Sequence, residues 1–429
     1  MKQKFAVTPE LLKKSFIEIY GTANNIETSS EIGNTPDFYG PTNQIRIFAA
    51  PARINIIGEH IDYNGGFVFP AAIDRYLYCA IRKRTDTKII YNDLFFPGTF
   101  SFDINETFKF DKANDYANYL NGILHCMKKH GYSFSCGFEV LIASNIPAAG
   151  GLSSSSALEC CFGWAVNETF AFGISRKDLA LMGQQSEHEF MNVNCGIMDQ
   201  YIISTAKADT AELLDCAKLK HEYVPLKTGD YRFVVMNTKK QRRLSESSYN
   251  ERRAQCAQGL KLLQAAGLEV PDLCSLTPEI FSKAGTTIFA KAGSAFFSKA
   301  GTLNEHEIIF RRVRHCVTEN DRVVRAVAAL HENNLQELGR LLYASHQSLR
   351  DDYEVTGLEL DTLVNAAGRQ QGCLGARMTG AGFGGCAIAL VHKAAVQEFV
   401  QNVQLEYKNT IGYEAEFFEC STSDGVHEV

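Results

Sequence analysis

Three stretches of the chain concentrate groups that can bind, polarise or transfer charge. In Asn145-Ile146-Pro147-Ala148-Ala149-Gly150-Gly151-Leu152-Ser153-Ser154-Ser155-Ser156-Ala157-Leu158-Glu159, an alternating apolar run (Phe138, Val140, Ile142) gives way to helical spacing (Leu158, Cys161, Phe162, Ala165, Val166). The segment reads as strand, small-residue loop and helix start. Glycines let backbone approach a ligand, a helix N-terminus leaves N–H groups without intrahelical partners, and its dipole favours an anion. The loop therefore suits a phosphate, although an ordinary serine-capped helix has the same local pattern. In Pro51-Ala52-Arg53-Ile54-Asn55-Ile56-Ile57-Gly58-Glu59-His60-Ile61-Asp62-Tyr63-Asn64-Gly65-Gly66, apolar residues hand over to a crowd of hydrogen-bonding groups. Carboxylates accept, while His and Asn both donate and accept, a set that matches the alternating hydroxyls of a sugar. A solvated turn built on Asp62, Asn64 and the glycines is the alternative. Third, Glu187-His188-Glu189 leads into Cys195-Gly196-Ile197-Met198-Asp199-Gln200. Near a phosphate loop, Glu187 and Asp199 can divide the work, one holding a metal and the other meeting the nucleophile; exposed helix acids are the plainer account. Gly196 and Met198 suggest that Asp199 stands on a strained turn.

A fourth stretch, Arg377-Met378-Thr379-Gly380-Ala381-Gly382-Phe383-Gly384-Gly385-Cys386, formally contains the dinucleotide-binding glycine fingerprint. That fingerprint must open a helix, whereas Cys386–Val391 reads as a buried strand, so a glycine-rich loop supporting a site is the better reading.

The elements that must position these groups are mixed. Helical spacing covers Leu11–Tyr20, Ala117–Lys129, Leu152–Phe190, Ser247–Ala266 and Arg322–Leu349, and strand-like runs cover Ile45–Ala49, Tyr76–Arg82, Phe138–Ala143 and Tyr231–Met236. Without a regular strand–helix alternation the pattern favours α+β over a doubly wound sheet. A chain of 429 residues is expected to hold two domains, here 1–215 and 216–429. With 45% hydrophobic and 21% charged residues it reads as globular, and its net charge of -6 argues against nucleic acid as a partner. No apolar run is long enough for a membrane span, and the start lacks a signal-peptide core. The 13 scattered cysteines fit small buried thiols in a reducing compartment, so a cytoplasmic protein is expected. Phe281-Ser282-Lys283-Ala284-Gly285 recurs at 289–293 and 297–301 with a period of eight, which reads as a duplication within a dispensable surface loop.

In this order the four segments resemble the sugar kinases of the GHMP superfamily, within them the galactokinase family. Gly-Glu-His-x-Asp-Tyr-Asn-Gly-Gly at 58–66 is the most specific element, joined by Gly151–Ser155, Cys195–Gln200 and Met378–Gly385; Tyr249-Asn250-Glu251-Arg252-Arg253 adds a weaker likeness. The resemblance spans nearly the whole chain except 281–301. It implies a two-domain GHMP kinase fold with the active site between the domains, and transfer of the ATP γ-phosphoryl group to the O1 hydroxyl of D-galactose. By that analogy Ala149, Gly150, Gly151, Leu152, Ser153, Ser154 and Ser155 wrap the ATP phosphates, and Ser155 and Glu187 hold Mg²⁺. Asp199 and Arg53 are the catalytic pair, and Glu59, His60, Ile61, Asp62, Gly196 and Tyr249 bind the sugar. Tyr116 stands where relatives often carry Trp near adenine, Ala149 where the loop usually has Gly, and Ala52 where Gly precedes the arginine. Partners are then the small molecules galactose and ATP, and a monomer is expected.

Overall fold

The computed structural model describes residues 7–22, 44–147, 150–240, 245–285, 287–289 and 305–429, and the architecture below refers to these. Two large sheets carry the site. In the first, β1 (Arg46–Asn55) pairs antiparallel with β3 (Pro70–Lys83), and β3 with β6 (Phe138–Ser144); β4 (Lys88–Asp93) lies parallel to β6, and β5 (Thr99–Asp103) hairpins onto β4. The strand β13 (His427–Glu428) returns from the chain's end to the free side of β1. After Arg46, β1 is buried at every position, as its continuous apolar run requires of a strand covered on both faces. In the second sheet β9 (Tyr231–Asn237), β10 (Cys373–Thr379), β11 (Cys386–His392) and β12 (Glu416–Cys420) pair antiparallel in the order β10-β11-β9-β12. A smaller sheet joins β2 (Phe67–Val68) to the hairpin β7 (Thr210–Asp215) and β8 (Lys220–Pro225), and the expected division at 215/216 falls at the turn of that hairpin.

Ten α-helices of eight or more residues among the described residues accompany these sheets. They are α1 (Pro9–Tyr20), α2 (Ala117–Lys129), α3 (Ser154–Phe170), α4 (Arg176–Gln185), α5 (Met198–Thr205), α6 (Ser245–Ala265), α7 (Glu305–His331), α8 (Leu335–Ser348), α9 (Leu358–Gly368) and α10 (Val396–Ile411). The stretch expected to be helical from Leu152 to Phe190 is broken after α3, where Ala171 takes a left-handed φ of 55°. Likewise 322–349 is two helices, with Asn333 at φ 54° and the Asn334 side chain capping α8 on the Glu337 N–H. Gly380–Gly385 forms the turn between the antiparallel strands β10 and β11 and opens no helix.

The eight-residue repeat is not merely surface loop. Phe281 and Phe289, the first residues of copies one and two, are each 5% exposed and pack on Phe310 of α7, with ring centroids 5.2 and 5.5 Å away. Large apolar side chains at an eight-residue spacing thus dock as core. The third copy lies outside the described residues.

Candidate active site

Arg53 is the hub. It sits near the end of β1, 3% exposed, where β1 gives way to the loop of Gly58–Gly65. Its guanidinium binds Asp199 with two parallel hydrogen bonds, Nε to Oδ1 at 2.8 Å and Nη2 to Oδ2 at 3.0 Å, while Nη1 donates to the Gly151 carbonyl at 2.8 Å. Burial works against the guanidinium charge, but Asp199, Glu59 and Asp62 outweigh it and raise the Arg53 pKa. Asp199 does not stand on a strained turn: it occupies the first turn of α5, and none of residues 196–199 has a positive φ. Its Oδ2 also accepts from Ser153 Oγ at 2.5 Å, a contact delivered by the left-handed φ of 63° at Ser153 just before α3.

Behind the loop, Glu59 and His60 are held by the second half of the chain. Glu59 Oε1 accepts from the Gly380 N–H at 2.7 Å and lies 3.5 Å from Arg377 Nη1. Burial raises the Glu59 pKa, against Arg377 and Arg53. Glu319 of α7 receives the Gly58 N–H at 2.9 Å; burial would raise its pKa, but Arg322 and Arg377 hold it down at about 2. His60 has φ 62°, and both ring nitrogens are engaged. Ala381's carbonyl only accepts, so Nε2–H donates to it at 3.2 Å and Nδ1 accepts from the Tyr63 hydroxyl at 2.7 Å. Tyr353 donates in turn to Tyr63 at 2.9 Å. Burial drives the His60 pKa down to about 3, so the ring is neutral near pH 7. Asp62 is pushed up to about 6, first by burial and then by Asp199 and Glu59.

Beside these groups lies a cavity of about 290 Å³. Of the residues expected from sequence, Arg53, Glu59, His60, Asp62, Ser155, Glu187, Gly196, Asp199 and Tyr249 line it. The side chains of Ile61 and Leu152 do not: they are 0% and 1% exposed and belong to the apolar core beneath the loops. Leu152 contributes its carbonyl, which accepts from the Arg53 N–H at 3.3 Å. Gly150 is buried below the loop, Ser154 is exposed at the start of α3, and Ala149 lies outside the described residues. Gly196 tolerates no side chain, since a Cβ there would come within 1.6 Å of Asp62 Oδ2. Tyr119, one helical turn beyond Tyr116, reaches the cavity, whereas Tyr116 packs edge-on against Phe100 at 5.3 Å.

Sequence reasoning missed Tyr353, Ser153's bond to Asp199 and Glu319. The first and third lie 290 and 261 residues from their partners, and no local spacing signals such contacts. No group of three or more His, Cys, Asp or Glu side chains suited to a metal occurs among the described residues. Ser155 and Glu187, which both line the cavity, nevertheless offer the hydroxyl and carboxylate oxygens that suit Mg²⁺, which takes few protein oxygens. No helix among the described residues is long and apolar enough to cross a membrane.

Comparison with known proteins gives the same picture along the chain. Three family models match: the galactokinase galactose-binding signature over residues 37–83, the GHMP kinases N terminal domain over 118–207 and the GHMP kinases C terminal over 326–409. The galactokinase of Enterococcus faecalis is 42% identical over 422 residues, 98% of this chain and 99% of the relative. That of Staphylococcus carnosus is 45% identical over 88% of this chain and 93% of the relative. The crystal structure of Lactococcus lactis galactokinase complexed with galactose superposes with a TM-score of 0.87 at 40% identity, covering 98% of this chain and 99% of that one. Methanococcus jannaschii mevalonate kinase, at 19% identity and a TM-score of 0.60 over 90% of this chain and all of its own, shares the fold.

Proposed function

The chain belongs to the galactokinase family of the GHMP kinases, and from that premise we propose that it transfers the γ-phosphoryl group of ATP to the O1 hydroxyl of D-galactose. One observation carries the assignment of roles: Arg53 grips Asp199 with two nitrogens and the Gly151 carbonyl of the serine loop with the third. A single buried cation thereby joins the phosphate loop to the sugar cavity.

In this reading the free N–H groups at the start of α3, with Gly150 and Gly151, receive the ATP phosphates, and Ser155 and Glu187 hold Mg²⁺. Mg²⁺ would neutralise charge on the phosphate oxygens. Asp199 faces O1, orients it and accepts its proton, and Arg53 stabilises charge on the transferring group. The arrangement supplies alignment and charge stabilisation, which is most of what phosphoryl transfer requires. Glu59, Asp62 and Tyr249 read sugar hydroxyls. Since both ring nitrogens of His60 are occupied, its role is to shape the sugar loop. Tyr119 and Tyr116 stand near the adenine. The catalytic unit is a cytoplasmic monomer whose two domains meet at this cavity, divided near the hairpin of residues 210–225.

The test is ADP release with galactose, N-acetylgalactosamine and glucose offered separately. Galactose should be turned over with the highest kcat/KM; a preference for another of these sugars, or no turnover of galactose, refutes the reading.

A further inference from the structure

Tyr249-Asn250-Glu251-Arg252-Arg253 contributes Tyr249 to the cavity wall, but its second arginine has no part in the chemistry described so far. The Arg253 side chain leaves α6 and crosses to the other half of the chain. Its Nη1 donates to the carbonyls of Asn194 and Cys195, the latter at 3.2 Å, and its guanidinium lies over the Tyr63 ring, 5.0 Å from the centroid. We propose that Arg253 is a positioning residue that locks the 194–196 turn and Tyr63 to one plane, and so sets Asp62 and Asp199 in register around the sugar; the proposal rests on reading the cavity as a galactose site.

Each link is short. The Cys195 carbonyl also accepts from His188 Nε2 at 2.8 Å, so two N–H donors from separate elements hold the turn. Gly196 follows at once, so close to the Asp62 carboxyl that a Cβ on it would come within 1.6 Å of Oδ2. The Met198 N–H then bonds to Asp62, and Asp199 comes next in the chain. On the other side, Tyr63 under the guanidinium donates to His60 at 2.7 Å. Only a planar, multi-donor cation can bind two carbonyls at its edge and stack on an aromatic face at once; an ammonium does one or the other. The guanidinium also borders a second cavity of about 510 Å³, lined by Tyr63, Asn194 and Asp272 among others, which leaves room for a free guanidinium ion to enter once the side chain is removed.

The experiment uses the full chain with Arg253→Ala and Arg253→Lys. Wild-type turnover of galactose is measured first: its absence counts against the galactose site itself, whereas its presence leaves the role of Arg253 to be decided by the variants. Misplacing reacting groups by about an ångström costs on the order of 10²-fold, so Arg253→Ala should lose roughly 10- to 100-fold in kcat/KM for galactose with KM for ATP nearly unchanged. Arg253→Lys should keep the wild-type melting temperature and still lose roughly 10-fold. Guanidinium chloride, well below denaturing concentration, should restore activity to Arg253→Ala, while ammonium chloride at equal ionic strength should not. Wild-type kinetics in Arg253→Lys, an equal loss of ATP and galactose binding, or equal rescue by the two salts would overturn the proposal. If Arg253→Ala does not fold, the lysine variant and its KM against kcat decide the question alone.

Discussion

At the scale of single residues, the site is defined by buried charge more than by catalytic geometry alone. Asp199 serves two masters: in the proposed mechanism it meets O1, and in the folded chain it neutralises Arg53. Asp199→Asn should therefore cut kcat by about 10²–10⁴-fold, the range for loss of a general base. It should also lower the melting temperature, because an Arg that is 3% exposed loses the anion paired with it; Glu59 and Asp62 soften that loss. A steady-state assay and a thermal melt on one preparation check both, and an inactive variant with unchanged stability would mean that Arg53 needs no pairing. Asp62 makes a second, signed prediction. Its pKa is about 6 in the fold against an ordinary 3.8, so the folded chain holds a proton that the unfolded chain releases. That contribution is complete below about pH 3.8 and is lost as pH rises through about 6, leaving a buried anion at pH 8. In the absence of ligands, Asp62→Asn should melt above wild type at pH 8, with the gap closing towards pH 5. A gap independent of pH would show that the carboxylate is not under electrostatic stress.

At the scale of elements, regular structure was legible where one periodicity ran unbroken, and illegible where distant parts meet. The helix expected over Leu11–Tyr20 is α1, started two residues earlier by Thr8 capping the Leu11 N–H and by Pro9 at its first position. The strand expected over Tyr76–Arg82 is the core of the longer β3, because small residues Ala71 and Ala72 extend it without any alternation to read. The glycine-rich turn after β10 was legible from the apolar run that follows it. Sequence spacing also found the chemistry of the sugar loop, but not what holds it: Glu319 and His315 on α7 support Gly58 and Glu59 across a separation that periodicity does not sense. The repeat was misread for the same reason. Its period of eight shows no burial pattern by itself, and only Phe310 on α7 reveals that Phe281 and Phe289 are anchors. Deleting Ala284–Lys299 would remove the second anchor, so that deletion is expected to destabilise. Phe289→Ala should cost about 3 kcal/mol, as truncation of a buried Phe does, and lower the melting temperature by several degrees. Removing one period, Ala292–Lys299, retains both phenylalanines and should leave melting and kinetics close to wild type. Equal damage from the two changes would place the anchoring outside Phe281 and Phe289.

At the scale of the whole molecule, the two large sheets are joined by charge exactly where the substrate is proposed to bind. Arg377, on β10 of the second sheet, has no exposed surface and donates through Nη1 to the Asn55 and Ile56 carbonyls at the end of β1, at 3.0 and 3.1 Å. The same guanidinium lies 3.5 Å from Glu59 and 3.9 Å from Glu319, so one cation offsets two buried carboxylates from two different parts of the chain. Thr379 on the same strand tightens the seam by accepting the Asn55 N–H at 2.9 Å. Such a junction adds less to stability than an apolar one of equal volume, because desolvating the charges consumes most of the attraction. What it gains is direction: the sugar loop is fixed relative to both sheets, and the loop's Glu59 is presented with a defined orientation. Arg377→Met tests this, since the replacement fills similar volume without charge. Breaking a buried pair by removing one partner typically costs about 3–5 kcal/mol, so the melting temperature should fall markedly at pH 8. Burial raises the pKa of Glu59, so without Arg377 this carboxylate takes up a proton as pH drops, while Glu319 keeps Arg322 beside it, and the deficit should shrink towards pH 5. In the same variant KM for galactose should rise far more than KM for ATP, because Glu59 loses its orienting cation while the serine loop keeps Arg53. A melting deficit that stays constant from pH 8 to pH 5, or an equal rise in both KM values, would mean that Arg377 is only a filler of the seam.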